Sequence, residues 1–222
     1  MRNRTLTGNL AIVIYLISLF CVVIAFSTSS WLVSDYRIRG AKFDRLGLWT
    51  HCFRSLPDPT DVYQRRFFVG CRWVFDPFTK GYDEIRGFLI PGFMIATQFF
   101  YTITFICALI SAVLVLMYFL CCSPDQNKFT LFVRGIGLTC LVGGISGCIG
   151  VIVFAIWGNT DGWMPGHENN WFGYSFVLAI VGAVGFVIAA GLFLVEENVQ
   201  VRKQRHFKDS QTRFELEQES KA

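Results

Sequence analysis

The chain has 222 residues, of which 53% are hydrophobic and only 16% are charged. Soluble domains average about 45–50% apolar and about 25% charged residues, so this composition excludes a disordered chain and disfavours most soluble enzyme folds. The net charge is +4 and the 20 Lys and Arg include no run of five, which excludes the basic arm typical of proteins that bind nucleic acid.

The charged residues leave four long stretches empty. Asp, Glu, Lys and Arg are absent from residues 5–34, 87–124, 135–160 and 169–195, which are 30, 38, 26 and 27 residues long. A helix of about 20 apolar residues crosses the hydrocarbon core of a bilayer. The sequence therefore predicts a membrane protein with four transmembrane helices, at residues 10–30, 93–120, 129–157 and 171–195.

Basic residues near the ends of short connecting segments predict the orientation, because they stay on the cytoplasmic side. They are Arg2, Arg4, Lys128, Arg134, Arg202, Lys203, Arg205 and Lys208. The N-terminus 1–9, the loop 121–128 and the tail 196–222 are therefore predicted to be cytoplasmic. The loop 158–170, with two acids and no base, and the loop 31–92 are predicted to be extracellular. The long loop contains ten Lys and Arg, but a segment of about 60 residues is translocated largely regardless of charge.

The first apolar stretch also fits a cleaved signal peptide, because Arg2 and Arg4 precede it and Ala25-Phe26-Ser27 is a small-x-small site. A transmembrane helix is the favoured interpretation, since the uncharged run is longer than an ordinary signal-peptide core. The predicted orientation places the glycosylation motif Asn3-Arg4-Thr5 in the cytosol, where it stays unmodified.

The first loop carries strand patterns and two cysteines. Residues 67–75 have an apolar side chain at every odd position, which predicts a strand with its odd face sheltered. Residues 47–53 predict a partner strand and residues 36–39 an edge strand, giving a small antiparallel sheet. Cys52 and Cys71 lie on the predicted oxidising side, so a disulfide is predicted between them. Closing this loop stabilises the fold by about 3 kcal/mol in the chain-entropy model.

The order of motifs in the first loop resembles the signature of the claudin superfamily. The motifs are Trp31, Gly47-Leu48-Trp49, Cys52, Cys71 and, just before the second predicted helix, Arg86. The superfamily includes the peripheral myelin protein and epithelial membrane protein branch and the calcium-channel gamma subunits. The resemblance implies a left-handed bundle of four transmembrane helices with a small extracellular antiparallel β-sheet. It also implies that Trp31 and Gly47-Leu48-Trp49 form the junction between the sheet and the outer helix ends.

Within the superfamily, residues 67–75 and 90–94 are similar to the insect septate-junction claudin-like proteins of the pasiflora type. Two features depart from vertebrate claudins. Residues 55–66 are an insertion between the loop cysteines, so pore-lining residues do not transfer by position. The chain ends Glu219-Ser220-Lys221-Ala222 instead of the Tyr-Val ligand of PDZ scaffold domains, and is at best a weak ligand of that kind.

Further candidate sites each have two interpretations. Cys121 and Cys122 form either a palmitoylation site or two ordinary helix-end cysteines. An apolar tip in the second external loop either contacts a partner protein or lies at the lipid interface, and consists of Trp163, Met164 and Pro165. The charged residues of the first loop either line a paracellular route or simply face solvent: Arg72, Asp76, Lys80, Asp83 and Glu84.

Small-residue motifs occur in the third and fourth predicted helices, and the C-terminal tail is strongly charged. Gly143-x-x-x-Gly147 and Ala179-x-x-x-Ala183 predict close helix packing, within one bundle in preference to between copies. The tail 196–222, basic near the membrane and acidic further on, is predicted to be disordered.

The resemblance implies a junction protein of the lateral plasma membrane that is not an enzyme. Its extracellular loops would associate with other claudin-like or junction proteins in cis and in trans, as homo- or hetero-oligomers, to form a paracellular barrier. Two alternatives share the same motif: an auxiliary subunit of an ion channel and a myelin-type membrane organiser. No catalytic motif and no Cys or His pair with metal-ligand spacing occurs, so no cofactor or metal is expected.

Overall fold

The computed structural model describes residues 5–35, 37, 42–58, 61, 63, 65–78, 86–87, 89–120, 127–160, 163–164 and 167–220. Within these residues, four helices are long and apolar enough to cross a membrane. They are α1 (Leu6–Ser27), α2 (Gly92–Leu120), α3 (Asn127–Trp157) and α4 (Tyr174–Glu219). Together with a small antiparallel β-sheet at one end, they confirm the predicted fold class.

Local signals set the helix ends. Thr5 is the N-cap of α1, where its side-chain oxygen accepts a hydrogen bond from the Gly8 amide at 3.2 Å. Helix α2 begins directly after Pro91, which cannot continue a helix on its own N-terminal side. Helix α3 ends at Trp157, and the following Gly158 amide donates to the Phe154 carbonyl at 2.7 Å. These signals place the sheet and its loops between α1 and α2 and between α3 and α4.

The four helices pack in a defined order. Helix α1 packs mainly against α4, α4 against α3, and α3 against α2, while α1 and α2 touch less extensively. Gly147 allows a close approach of α3 to α4, because a Cβ added to it would lie 2.9 Å from the Ala183 Cβ. The Thr104 hydroxyl of α2 donates to the Gly143 carbonyl of α3 at 2.9 Å. The small residues therefore pack helices of the same bundle together.

Five strands form one sheet: β1 (Leu32–Ser34), β2 (Phe43–Leu46), β3 (Thr50–Pro57), β4 (Phe67–Trp73) and β5 (Asn170–Phe172). Their order is β4-β3-β2-β1-β5, and all four pairs are antiparallel. The strand β5 comes from the second loop, so both loops belong to one sheet. The residue pattern of the sequence predicts no strand there and none at β2. The edge strand predicted at residues 36–39 falls mostly outside the described residues.

The prediction for the faces of β4 is wrong. Phe68 and Val74, at even positions, are buried, whereas the odd positions Phe67, Val69 and Trp73 are exposed. The cause lies in the register: Gly70 pairs with the buried Phe53 of β3, and Phe68 pairs with Leu56. Because directly opposed residues of an antiparallel pair share a face, the even positions of β4 point toward the core.

The prediction of a disordered tail is also wrong. Helix α4 continues without a break from the membrane segment to Glu219. The tail contains neither Gly nor Pro and is rich in Gln, Glu, Lys and Arg, which are good helix formers. A helix already formed in the membrane also removes the unfavourable nucleation step for the residues that follow.

Substituting Gly147 tests the close packing of α3 and α4. Gly147→Leu should lower the free energy of unfolding by about 1–3 kcal/mol, because the new side chain meets Ala183 and Thr104 at the helix contact. Thermal unfolding of the purified protein in detergent micelles measures this effect. The matched control is Gly191→Ala on α4, where an added Cβ meets nothing within 4 Å and no loss is expected. Equal unfolding temperatures for Gly147→Leu and the unmodified protein would contradict the packing.

Candidate functional site

The predicted junction between sheet and helices is organised around Trp31. Its side chain is 0% exposed, and its indole N–H donates to the Ala25 carbonyl of α1 at 2.7 Å. Its ring lies edge-on to Tyr101 of α2 and Phe154 of α3, each at 5.1 Å between centroids, and 5.7 Å from Phe176 of α4. One side chain between α1 and β1 therefore contacts all four helices.

Gly47-Leu48-Trp49 lies at the same level, between β2 and β3. A Cβ added to Gly47 would lie 2.5 Å from the Thr28 carbonyl oxygen, so only glycine fits this approach to the end of α1. Leu48 is fully buried, and its carbonyl accepts a hydrogen bond from the Gln98 side-chain amide of α2 at 2.6 Å. The Trp49 ring packs against Phe26 of α1 at 5.6 Å. Each residue of the motif thus ties the sheet to a helix.

The second loop is attached to the same junction. The Gly173 amide donates to the Trp31 carbonyl at 3.0 Å, and the Ser175 amide donates to the Ser30 carbonyl at 3.2 Å. The Thr28 and Ser175 hydroxyls share a hydrogen bond of 2.6 Å. Sequence reasoning missed these residues; the only signal was Gly173, which lies near the start of the charge-free stretch 169–195 and directly precedes α4.

The predicted disulfide is confirmed. Cys52 of β3 and Cys71 of β4 lie directly opposite each other and are bonded, 19 positions apart in sequence. The free cysteines of the described chain are Cys21, Cys107, Cys140 and Cys148, all within the spanning helices. The bond therefore links the edge strand β4 to the rest of the sheet. Cys121 and Cys122 lie outside the described residues.

The remaining candidate residues are placed differently from the expectation. Trp163 and Met164 are only 7% and 4% exposed, and the Trp163 ring packs edge-on against Phe93 at 4.8 Å. The start of α2 covers both side chains, which leaves little of their surface for the predicted contact with a partner protein or with the lipid interface. Pro165 lies outside the described residues. Arg86 is half-buried, and its carbonyl accepts the Ile90 amide at 2.9 Å ahead of α2.

Of the charged candidate residues in the first loop, the structure describes two, Arg72 and Asp76. Arg72 and Asp76 form an ion pair of 3.7 Å at the end of β4, with both side chains largely buried. An ion pair of this kind reduces the field that either charge presents to solvent. Lys80, Asp83 and Glu84 lie outside the described residues.

His51 is the buried titratable residue of the sheet. It is 0% exposed, pairs with Leu46 on β2 and Arg72 on β4, and its ring lies 6.3 Å from that of Phe53. Burial lowers the pKa of His51 from 6.5 to about 4, because the charged imidazolium loses its hydration. The sheet core therefore holds a neutral imidazole at physiological pH.

The opposite side of the sheet presents an apolar surface, which we term the exposed β4 face: Phe67, Val69, Trp73 and Phe75. These side chains are 52%, 60%, 56% and 43% exposed. Given the areas of aromatic side chains, their exposed surface is on the order of 400 Å². Apolar patches of that size outside a membrane commonly mark contact sites. The arrangement can bind another apolar surface.

Together these features define a class: a multi-pass membrane protein whose four helices carry a disulfide-bonded sheet at one end. The family model described as PMP-22/EMP/MP20/Claudin tight junction matches residues 16–195. The chain belongs to this family, which confirms the resemblance at the level of the superfamily. A comparison with curated proteins found no match. Family membership points to a structural membrane protein.

Loss of the disulfide should destabilise the sheet. Cys52→Ser or Cys71→Ser should each lower the free energy of unfolding by about 3 kcal/mol, because the unfolded chain gains loop freedom. Quality control should then retain either variant inside the cell. Surface biotinylation measures the fraction that reaches the plasma membrane. Cys148→Ser, which removes a free cysteine of α3, is the control with normal surface expression. Normal trafficking of both single variants would contradict this role of the disulfide.

The buried His51 should make stability depend on pH. Between pH 6.5 and about 4 the unfolded chain binds a proton on His51 that the folded chain does not. Stability should therefore fall as the pH is lowered through this window and be independent of His51 above it. Denaturation at a series of pH values, comparing the unmodified protein with His51→Gln, isolates the effect. The variant should have a shallower slope, while His206→Gln, on the exposed tail, should not; equal slopes for all three would contradict the effect.

Proposed function

We propose that the chain is a junction protein of the lateral plasma membrane, with the sheet outside the cell and both termini in the cytoplasm. Its sheet would associate with other claudin-like or junction proteins on the same and on opposing cells, and the resulting oligomers would restrict the paracellular space. The similarity of residues 67–75 to septate-junction proteins supports the septate junction as the location in an insect epithelium. Membership in the claudin family supports this class of function.

The orientation is supported by two independent features. The Cys52–Cys71 disulfide lies in the sheet, and disulfides persist in oxidising compartments such as the extracellular space. At the opposite end of the bundle, α4 continues into a segment that contains Arg202, Lys203 and Arg205, as the positive-inside rule requires for a cytoplasmic end.

The exposed β4 face is the observation that carries the proposal. Phe67, Val69 and Trp73 lie on β4, at an edge of the sheet and on the side that does not pack against the core, and Phe75 follows just after the strand. A protein partner that covers these side chains gains roughly 25 cal/mol per Å² of apolar surface removed from water. The nearby charges of Arg72 and Asp76 are paired, so the face favours close contact and a barrier over an ion-selective route.

Substituting the exposed β4 face tests the proposal. Val69→Ser/Trp73→Ser should weaken association between copies about tenfold or more, because interface aromatics often dominate binding energy. Expressed in a polarised epithelium depleted of the native protein, this variant should reach the lateral membrane but leave tracer permeability high. The matched control is Tyr63→Ser, an exposed aromatic outside β4, which should restore the barrier.

Two results would contradict the proposal. One is full restoration of the barrier by Val69→Ser/Trp73→Ser at normal surface levels. The other is an intact barrier after complete depletion of the protein. If the protein then co-purifies with an ion channel at a fixed stoichiometry, the auxiliary-subunit alternative is favoured instead. An unchanged unfolding temperature of the double variant in detergent separates loss of contact from loss of fold.

A further inference from the structure

Glu196 marks the depth at which the end of the bundle opposite the sheet leaves the hydrocarbon core of the membrane. This carboxylate is 1% exposed; it accepts a hydrogen bond from the Thr5 hydroxyl at the start of α1 and another from the Gln200 side chain at 2.7 Å. Thr5 is the first residue of the charge-free stretch 5–34, and Glu196 directly follows the charge-free stretch 169–195. The hydrocarbon core of the membrane therefore ends close to this pair of residues.

Beyond this level, α4 carries a ring of basic side chains, which we term the basic collar: Arg202, Lys203, Arg205 and Lys208. All four are exposed, and none has an ion-pair partner among the residues that the structure describes. Successive residues of a helix are rotated by about 100°, so Arg202, Lys203 and Arg205 point in three different directions around the axis. The collar consequently surrounds the helix and does not form a single stripe.

The collar lies at the depth of the lipid headgroups and just beyond it. At a rise of about 1.5 Å per residue, Arg202 is about 9 Å and Arg205 about 14 Å past Glu196 along the helix. The headgroup layer extends roughly 5–8 Å past the hydrocarbon core, and Arg and Lys side chains reach several Å back toward it. The three proximal bases can therefore contact headgroup phosphates directly, and Lys208 adds to the attraction within a Debye length.

We propose that the basic collar binds the anionic headgroups of lipids in the leaflet where α4 leaves the membrane. Charge complementarity supports lipid over a second copy as the occupant. Two copies in one membrane would present their tail helices in parallel, which places collar beside collar and repels them. Glu215 and Glu217 lie about 28 Å or more past Glu196 along the helix, which is about two Debye lengths beyond the headgroups, so these acids do not cancel the attraction of the basic collar.

The test uses the full-length protein reconstituted in nanodiscs of phosphatidylcholine mixed with phosphatidylserine. Lipid that remains bound after transfer to mild detergent is identified by native mass spectrometry. The unmodified protein should retain phosphatidylserine in preference to phosphatidylcholine. The variant R202Q/K203Q/R205Q/K208Q should lose this retention about tenfold or more, because each base near an anionic surface adds to the attraction. Raising the salt concentration to about 1 M should have a similar effect on the unmodified protein.

Two further variants separate charge from structure. R202K/R205K keeps the charges and should retain phosphatidylserine, whereas loss of binding in this variant would count against the proposal. R65Q/R66Q removes exposed bases at the sheet end and should change nothing. Circular dichroism should show the same helix content in all variants, since Gln is a good helix former. Equal phosphatidylserine retention by the unmodified protein and the quadruple variant would overturn the proposal, as would an equal loss in R65Q/R66Q. Neither outcome bears on the junction function.

Discussion

The burial of one indole ring determines how the sheet and the helices are joined. Trp31 lies where α1 ends and β1 begins, and its ring contacts aromatic side chains of the other three helices. A buried Trp needs a partner for its N–H, and the Ala25 carbonyl in the last turn of α1 provides one. The same interaction therefore satisfies a helix terminus and fixes the direction in which the chain enters the sheet. The close approach of Gly47 to Thr28, the Gln98–Leu48 hydrogen bond and the Gly173–Trp31 hydrogen bond add to this arrangement.

The sheet built on this junction has two chemically different sides. The side toward the bundle holds His51, Phe53 and Phe68, all buried. The other side holds the disulfide and the exposed β4 face. In a membrane protein the lipid-facing side chains of the helices are apolar by necessity, but an apolar surface beyond the helix ends is in water and costs free energy unless it is covered. This cost is the physical reason to assign the face to a partner.

Much of the fold could be predicted from the sequence, because its strongest signals are physical requirements of a membrane. Charge-free stretches of sufficient length can hardly be anything but spanning helices, and two cysteines on an oxidising side have only each other as partners. The errors occurred where the requirement was weaker. Residues 67–75 are apolar at Phe68 and Val74 as well as at the odd positions, so alternation alone did not identify the inner face. The burial of Trp163 depends on Phe93, which is distant in sequence, so no local pattern indicates it. The strand β5 has only three residues, which is too short for an alternating pattern to be recognised. The tail is helical because it continues the membrane-spanning part of α4, and its own composition alone does not show this.

Helix α4 also has a mechanical consequence. It is 46 residues long, which corresponds to about 69 Å, and β5 precedes it by a single glycine. Tension applied to the sheet would pass through the β1–β5 hydrogen bonds into one uninterrupted helix that ends well beyond the far side of the bilayer. A helix of this kind tilts as one rigid body. A force on the sheet would therefore displace the tail of α4 on the other side of the membrane without any rearrangement inside the bundle.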